Sequence, residues 1–504
     1  MDPFIIKYIY YLVAVVSVVY ADKIIDKSYR LSKVLRFVIF ISPWIVLPLL
    51  GLHIDLILAV FLFLVTLGSI IISFYSEGYL RIMFGKISSL QVIIDISLVF
   101  LMMFFTSQKL VEFIVMWIIV ELTGTLLIML ERGMRNFSVV IKYLVVCVTA
   151  GDISLFVLLA LPVMHVGFDK ALMLDLAQLG LLGIKLNPLL TVLVLIGFTT
   201  KLAQVPLHIW LLETYTKTPS PATAIFSGLM SKMAVYAILR IYWLLELDIN
   251  TYVTLLLLQG ILTTIYGFFS ATIHSDLKKI MSYSSMGYYG IMTMILGLLP
   301  YNEEILTRLI LIYVVYHGFV KIQAFLNIAS IELLANTRDI YRLGYLAQLA
   351  RKVYDYSIVT FLSLIGIPPT IGFLAKFSLL VILFGLLRIA PLIVIIIIAC
   401  VSFASVFSII YSVKYLSVYT SMYKSKPVKT TIELTGSQTF SEVLAACTSI
   451  VLTPLLLIVG INASIDLVVA VVYVLSLATL ILTLLIRNRV GKKEKKVWVG
   501  GIEI

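Results

Sequence analysis

The stretch FTTKLAQVPLHIW, residues 198–210, sets a lysine and a proline inside one apolar run, and GIPPTIGFLAKF, residues 366–377, does so a second time. An ammonium at bilayer depth costs about 2.5–3.5 kcal/mol on insertion scales, so Lys201 and Lys376 must face a wet or protein-lined interior. Pro206 and the Pro368-Pro369 pair each remove backbone donors and break a helix where they stand. Both runs therefore predict a spanning helix broken near its middle beside a buried cation.

Working outward, the 504 residues are 62% apolar and only 13% charged, and mean hydropathy is +1.11. That composition reads as a polytopic all-α membrane protein, in which every apolar run of 17 to 25 residues is a helix because lipid offers no partner to a free backbone group. Spans are expected near 4–20, 34–52, 55–75, 91–106, 110–130, 138–164 and 187–210, and then near 220–245, 251–273, 281–299, 308–333, 357–386, 391–413, 442–462 and 464–486. That makes fifteen, or fourteen if 34–75 is one span fewer. No cleavable leader pattern opens the chain, so Phe4 to Tyr20 reads as a first spanning helix.

The prolines fall in the seventh and twelfth spans, five apart, which predicts two inverted five-helix repeats with a broken helix in corresponding positions. The expected units are 1–90 (the first three helices), 91–245 (helices 4–8), 251–413 (helices 9–13), and 414–504 (C-terminal helices and a basic tail). Alternate loops and the KKEKK tail hold 27 of the 38 Lys and Arg, the opposite loops six. The bias predicts an outside N-terminus, a cytoplasmic C-terminus and a plasma-membrane location. The net charge of +12 is then mostly topological, and nucleic acid is not an expected partner. Cys147, Cys400 and Cys447 are dispersed in apolar runs, and five scattered histidines offer no helical ligand pair, so no metal or other cofactor is expected in this chain.

Chemistry must then sit within the bundle. Glu121 stands alone at the centre of VEFIVMWIIVELTGTLLIML, and Lys201 is its expected partner, either as a static ion pair that fixes helix packing or as a switch whose opening frees a proton. His208, seven residues after Lys201, is expected on the same face, as a proton carrier or a hydrogen-bonded packing residue. Lys232, Tyr236 and Arg240 make a polar stripe at i, i+4 and i+8, with Arg240 close enough to the outer end to snorkel. His317 and Lys321 share a face at i, i+4, with Gln323 and Asn327 on a neighbouring one. Asp95, Lys142 and Asp152 are weaker candidates, each expected within reach of headgroup water.

From FTTKLAQVPLHIWLLETYTKTPSPATAIFSGLMSKMAVYAILRI at 198–241, with YSEGYLR at 75–81, HSDLKKIMSYSSMGYYG at 274–290, HGFVKIQAF at 317–325 and LIGIPPTIGFLAKF at 364–377, the chain resembles the antiporter-like membrane subunits of respiratory complex I, membrane-bound hydrogenases and multisubunit cation/proton antiporters. The resemblance implies that Glu121 and Lys201 form a modulating pair, that central lysines such as Lys232 relay a proton along a hydrated axis, and that Lys376 on the twelfth helix exchanges it with the outer side. It further implies a proton-translocating subunit that is itself non-catalytic, coupled to redox chemistry in other membrane and peripheral subunits. The alternative is a subunit of a Na+/H+ antiporter without redox partner. Two features depart from the pattern: a lysine at 376 where the complex I type carries a carboxylate, and Leu211-Leu212-Glu213 where a proline follows the tryptophan of helix seven.

Overall fold

A computed structural model describes residues 3–85, 88–130, 136–420, 433–457 and 467–479, and two short tail pairs at 498–499 and 502–503. Eighteen helices carry the described bundle: α1 (Pro3–Lys23), α2 (Tyr29–Ile41), α3 (Pro43–Leu49), α4 (Leu56–Phe84), α5 (Ser88–Phe105), α6 (Leu110–Met129), α7 (Phe137–Val166), α8 (Pro188–Lys201) and α9 (Ile209–Lys217). After these come α10 (Ser220–Leu244), α11 (Ile249–Ile273), α12 (Leu277–Gly297), α13 (Glu303–Ala335), α14 (Arg351–Ile365), α15 (Ile371–Leu386), α16 (Pro391–Thr420), α17 (Gly436–Leu457) and α18 (Leu467–Thr479). Short helical turns complete the connections, and Trp498–Val499 pairs with Ile502–Glu503 in the tail.

Each of the fifteen expected spans contains helix. Eight helices of the described residues are long and apolar enough to cross a membrane by themselves, or nine if α2 and α3, bent by 42°, are one span. The remainder fall short for physical reasons. The seventh and twelfth spans are broken, so that α8 has 14 residues and α15 has 16, while α12 carries the polar run Ser282 to Ser285. Several boundaries differ from expectation. The seventh span runs on to Lys217, so the loop expected from 211 is helical. The thirteenth extends to Thr420, beyond the expected boundary at 413, and α5 starts at Ser88, ahead of the one at 91. The KKEKK tail and residues 421–432 of the loop 413–440 lie outside the described residues.

The helices start where the sequence supplies acceptors for their free N–H groups. Asp55, Asn187, Asp248, Asp276 and Asn302 each cap the helix that follows through a backbone N–H three residues on. Two helices, α10 and α13, are buried throughout their spanning stretches, whereas α1 and α16 turn most of theirs outward. The polar residues at 232, 317 and 321 stand on those two central helices. Burial from all sides is the arrangement that keeps a charged helix out of lipid.

Candidate functional site

Lys201 is the last residue of α8, where a break of seven residues precedes α9. Its Nζ donates to Glu121 Oε1 at 3.1 Å and to Tyr143 Oη at 2.9 Å, with Glu121 fully buried on α6 and Tyr143 fully buried on α7. The C-terminal end of α8 adds a favourable partial negative charge to the ammonium. What brings these helices together is small residues. A Cβ on Gly197 would stand 2.2 Å from the carbonyl oxygen of Ala150, so only glycine lets α8 lie against α7 at this depth. Ser154 fastens the same contact, accepting from the Gly197 N–H at 2.8 Å and donating to the Leu193 carbonyl at 2.9 Å.

Beyond Tyr143 the connection is aromatic. Its ring meets Trp210 at 5.5 Å and Phe226 at 5.9 Å, and Tyr215 packs on both of these. From Tyr215 onward hydrogen bonds resume: its hydroxyl meets that of Tyr289 at 2.9 Å, and Tyr289 donates to the Ser227 carbonyl at 3.3 Å. That carbonyl belongs to a π turn, Phe226–Met230, in α10. A π turn leaves a carbonyl without its usual partner inside the helix, and here Lys232 Nζ takes it at 2.8 Å. Lys232 also donates to Ser231 Oγ at 3.1 Å and lies in direct hydrogen-bond contact with His317 Nδ1.

One turn along α13 from His317, Lys321 Nζ donates to Ser284 Oγ at 2.7 Å and to the Met281 carbonyl at 3.3 Å, both on α12. The ring of Tyr288 lies 5.7 Å from that of His317, 5.6 Å from Lys321 Nζ and 6.0 Å from Lys376 Nζ, so this one side chain borders all three. Its hydroxyl and the Lys376 amine share the Leu364 carbonyl, at 3.1 and 2.6 Å. Lys376 also donates to the Ile365 carbonyl at 3.0 Å and to Ser408 Oγ at 3.0 Å, thus capping the C-terminus of α14 across the second break. Gly366 closes that helix at φ +88°, and a Cβ there would meet Lys376 Cδ at 2.8 Å.

Among the described residues, Lys201 is the one of the four amines with a carboxylate within 4 Å; the other three rest on neutral acceptors. Lys232 and Lys321 are wholly buried, and Lys376 is half-buried.

Other expectations are corrected. His208 does not share a helix face with Lys201, because residues 202–208 are not helical; it packs on Tyr266 at 4.9 Å in a half-buried pocket with Leu212 and Met286. Arg240, half-buried at the outer end of its helix, makes a bidentate pair with Asp55 at 2.5 and 2.9 Å. Asp152 does not reach headgroup water along its helix: it stands exposed at the middle of α7, a helix of 30 residues. Lys142 pairs with Glu213 at 2.6 Å on the surface. Asp95 is buried in a network that the sequence does not reveal, in which Arg36 meets Glu77 at 2.9 Å, Asp95 at 3.6 Å and Asp22 at 3.8 Å. By sequence Arg36 stands at the edge of the expected span 34–52, where a charge is normally solvated, and Glu77 lies in the YSEGYLR stretch that carries part of the resemblance. Glu442, equally hidden, is fully buried on α17 and accepts from Ser330 Oγ at 2.5 Å. Among the described residues no cluster of His, Cys, Asp and Glu could hold a metal ion.

Comparison with known proteins fits this geometry. The chain is 31% identical over 207 residues to a Na(+)/H(+) antiporter subunit of Alkalihalophilus pseudofirmus, covering 41% of this chain and 40% of that one. It is 26% identical over 280 residues to an NAD(P)H-quinone oxidoreductase chain 4 of Microcystis aeruginosa, covering 55% and 50%. The chain thus spans about half the length, or less, of these curated relatives. A chain of the membrane-bound sulfane sulfur reductase, an archaeal respiratory membrane complex, superposes with TM-score 0.74 at 19% identity, over 93% of this chain and 99% of that one. A chain of the Mrp complex from Dietzia sp. does so with TM-score 0.67 at 19% identity, over 94% and 93%. At that identity the likeness is one of fold. Residues 107–408, which hold every amine of the axis, match the family described as NADH:quinone oxidoreductase/Mrp antiporter, transmembrane, and this multi-pass membrane protein is an antiporter-like member of that family.

Proposed function

We propose that the chain translocates protons as one subunit of a complex I-type membrane oxidoreductase, with the redox chemistry in partner subunits. The observation that carries this reading is the row of interior amines, the buried Lys201, Lys232 and Lys321 and the half-buried Lys376, joined by tyrosines and by His317 across the two central helices and both helix breaks. The row is not uniform. Between Tyr143 and Tyr215 the described side chains in contact are aromatic rings, so the hydrogen-bonded path for a proton leaving Lys201 has to form between or beside them. The Glu121 carboxylate holds the ammonium on one side of this interval. Moving one charge against 100 mV takes about 2.3 kcal/mol, and breaking a buried pair costs about 3–5 kcal/mol. The pair therefore works on the energy scale of the step it would gate.

Asp152 supports partner subunits. It is exposed at the midpoint of α7 beside the exposed Ile153 and Phe156. A carboxylate facing lipid at that depth would cost about 2.5–3.5 kcal/mol, which a polar group of a neighbouring subunit would remove. The likeness to a Na(+)/H(+) antiporter component favours the second reading, a Na+/H+ antiporter complex without redox partner.

The test is transport by the intact complex in sealed vesicles, followed with a pH-sensitive dye, for Lys201→Ala, Lys232→Ala and Lys321→Ala. Each is expected to assemble and to lose transport. Assembled variants pumping at the wild-type rate would refute the reading. Identification of co-purifying subunits by mass spectrometry separates the two complexes: flavin or iron-sulfur proteins support the first, small membrane subunits alone the second.

A further inference from the structure

The buried face of α16 changes character at Lys376. On one side of the Ser408 contact it presents Val394, Ile397, Cys400, Val401 and Ala404. On the other it presents Ser408, Tyr411, Ser412, Tyr415 and Tyr419, which recur at i, i+3, i+4, i+7 and i+11 and so share one stripe, with Val418 as its one apolar member. Facing them across the interior, α14 buries Ser357, Thr360 and Ser363 at i, i+3 and i+6. The two stripes meet: Ser357 Oγ contacts Tyr419 Oη at 2.6 Å, and Tyr415 and Thr360 both donate to Asn327 Oδ1, at 3.1 and 2.9 Å. One turn further along α13 from Asn327 is Ser330, which holds Glu442.

The column is continuous. Tyr411 reaches Ser284, Tyr288 and Ser412, and Glu442 reaches Asn327 as well as Ser330, while the buried Ser363 Oγ has no hydrogen-bond partner among the described residues. Buried polar atoms are nearly always satisfied, by protein or by water, and here the side chains of the column largely satisfy one another. No lysine, arginine or histidine nitrogen lies within 4 Å of the Glu442 carboxyl among the described residues. On the other side of Lys376 a void of about 10 Å³ is lined by Phe268, Ile291, Val401 and Ala404 with Tyr288, Tyr313 and Ser405.

We propose that Lys376 exchanges protons through this hydroxyl-lined column between α14 and α16, with Glu442 at its mouth, toward the face of the bundle where α4, α13 and α16 end and the basic loops lie. The inference rests on the proton-translocating reading above, and it reverses the side that family resemblance implies for the residue of the twelfth helix. Glu442 lies six residues into α17, about 9 Å from its start, so it is one short step from that face. Thr360 is one turn from Leu364, whose carbonyl Lys376 holds. In the transfer, the O–H bond of the Glu442 acid breaks, the hydroxyl and water chain passes a proton on, and an N–H bond forms on the neutral amine of Lys376. That leaves a carboxylate at 442 and an ammonium at 376, and a proton from solution at the basic face restores the acid.

The experiment labels single cysteines in the intact complex, in sealed vesicles of either orientation, with a charged membrane-impermeant thiol reagent. Cys147→Ser, Cys400→Ser and Cys447→Ser remove the native thiols, and Ser412→Cys or Thr360→Cys then reports on the column while Ala404→Cys reports on the apolar side. The two column cysteines are expected to react from the basic face alone, and Ala404→Cys not to react from it. Reaction of both column cysteines from the opposite face, from both faces or from neither overturns the proposal. In the same vesicles Glu442→Gln is expected to slow transport about 100-fold, the scale of one positioned proton-transfer group, with partial recovery in Glu442→Asp. Glu442→Gln at the wild-type rate overturns it also. Lys201→Ala separates the two readings: wild-type transport in that variant refutes proton translocation along the axis, whereas the labelling pattern still reports on the column.

Discussion

Replacing Glu121 by glutamine isolates the charge in the site, because the amide keeps the shape and one acceptor oxygen. At the 3.1 Å separation of Lys201 Nζ and Glu121 Oε1, and at an effective dielectric of about 20, the Coulomb attraction is about 5 kcal/mol. The retained hydrogen bond returns about 1 kcal/mol, and Tyr143 still accepts from the amine at 2.9 Å. Glu121→Gln is therefore expected to destabilise the fold by about 3–4 kcal/mol, within the range for breaking one buried pair. The lysine escapes only by shedding its proton, which from an ordinary pKa of about 10.4 costs close to 5 kcal/mol at pH 7 and so caps the effect. Lys201→Met strands the carboxylate instead and should cost about 3–5 kcal/mol. The double variant has no charge to strand and should lose about 1 kcal/mol. Equilibrium unfolding of the four proteins in mixed detergent micelles closes the cycle, and a coupling of about 3 kcal/mol or more is expected. Coupling below about 0.5 kcal/mol would mean that the two side chains are neutral neighbours, and the switch would have no stored energy to release.

Four further outcomes follow from the packing. Gly366→Ala forces a Cβ into Lys376 Cδ at 2.8 Å and holds a non-glycine residue at φ +88°; it should cost about 2–4 kcal/mol and lower transport, read by thermal melting and by vesicle assay, whereas Gly385→Ala, with open space around it, should change neither. Gly197→Ala drives α7 from α8 and separates Glu121 from Lys201, so transport should fall although both charged residues remain; a wild-type rate would show that the close approach is not needed. Arg36→Met leaves Asp22, Glu77 and Asp95 buried without their cation, and Arg36→Lys cannot reach three carboxylates with one compact ammonium; both should lower the yield of folded protein, the first by about 3–5 kcal/mol in stability. Asp152→Leu should stabilise the isolated chain by about 2.5–3.5 kcal/mol, the cost of a lipid-facing carboxylate, and yet weaken its retention in the complex on native gels.

The amines were legible in the sequence because an ionised group in an apolar run has no innocent reading, and the breaks because proline cannot donate a hydrogen bond. The partners of those amines were not. Tyr143 is one of 28 tyrosines, and nothing in its neighbourhood separates it from a packing residue until α7 is laid against α8. The Ser227 carbonyl, which accepts from Ser231, Lys232 and Tyr289, lies in a π turn of α10 whose register no local sequence signal fixed. Arg36 and Glu442 were hidden by position: each stands at the edge of an apolar run, where a charge is normally solvated, and only tertiary packing buries it. His208 failed for the opposite reason, since i+7 spacing means a shared face only along an unbroken helix.

The two broken helices do different chemistry, and the difference follows from which half carries the lysine. In the first, Lys201 ends the leading half and its amine reaches sideways to a carboxylate on another helix. In the second, Lys376 lies within the trailing half and reaches back to the carbonyls that the leading half leaves free. An ammonium held by Glu121 can leave only if an ion pair is broken. An amine held by carbonyls and a serine hydroxyl loses neutral hydrogen bonds of about 1 kcal/mol each. Energy delivered to the bundle is thus needed at Lys201, whereas Lys376 is free to equilibrate with whichever face its hydroxyl column reaches. A Glu introduced at Ser408, within 3.0 Å of the Lys376 amine, would abolish this asymmetry. Ser408→Glu should raise stability relative to Ser408→Gln and yet slow transport, because both lysines would then be held by charge. If Ser408→Glu transports as fast as the wild type, charge pairing does not set the rate at either break.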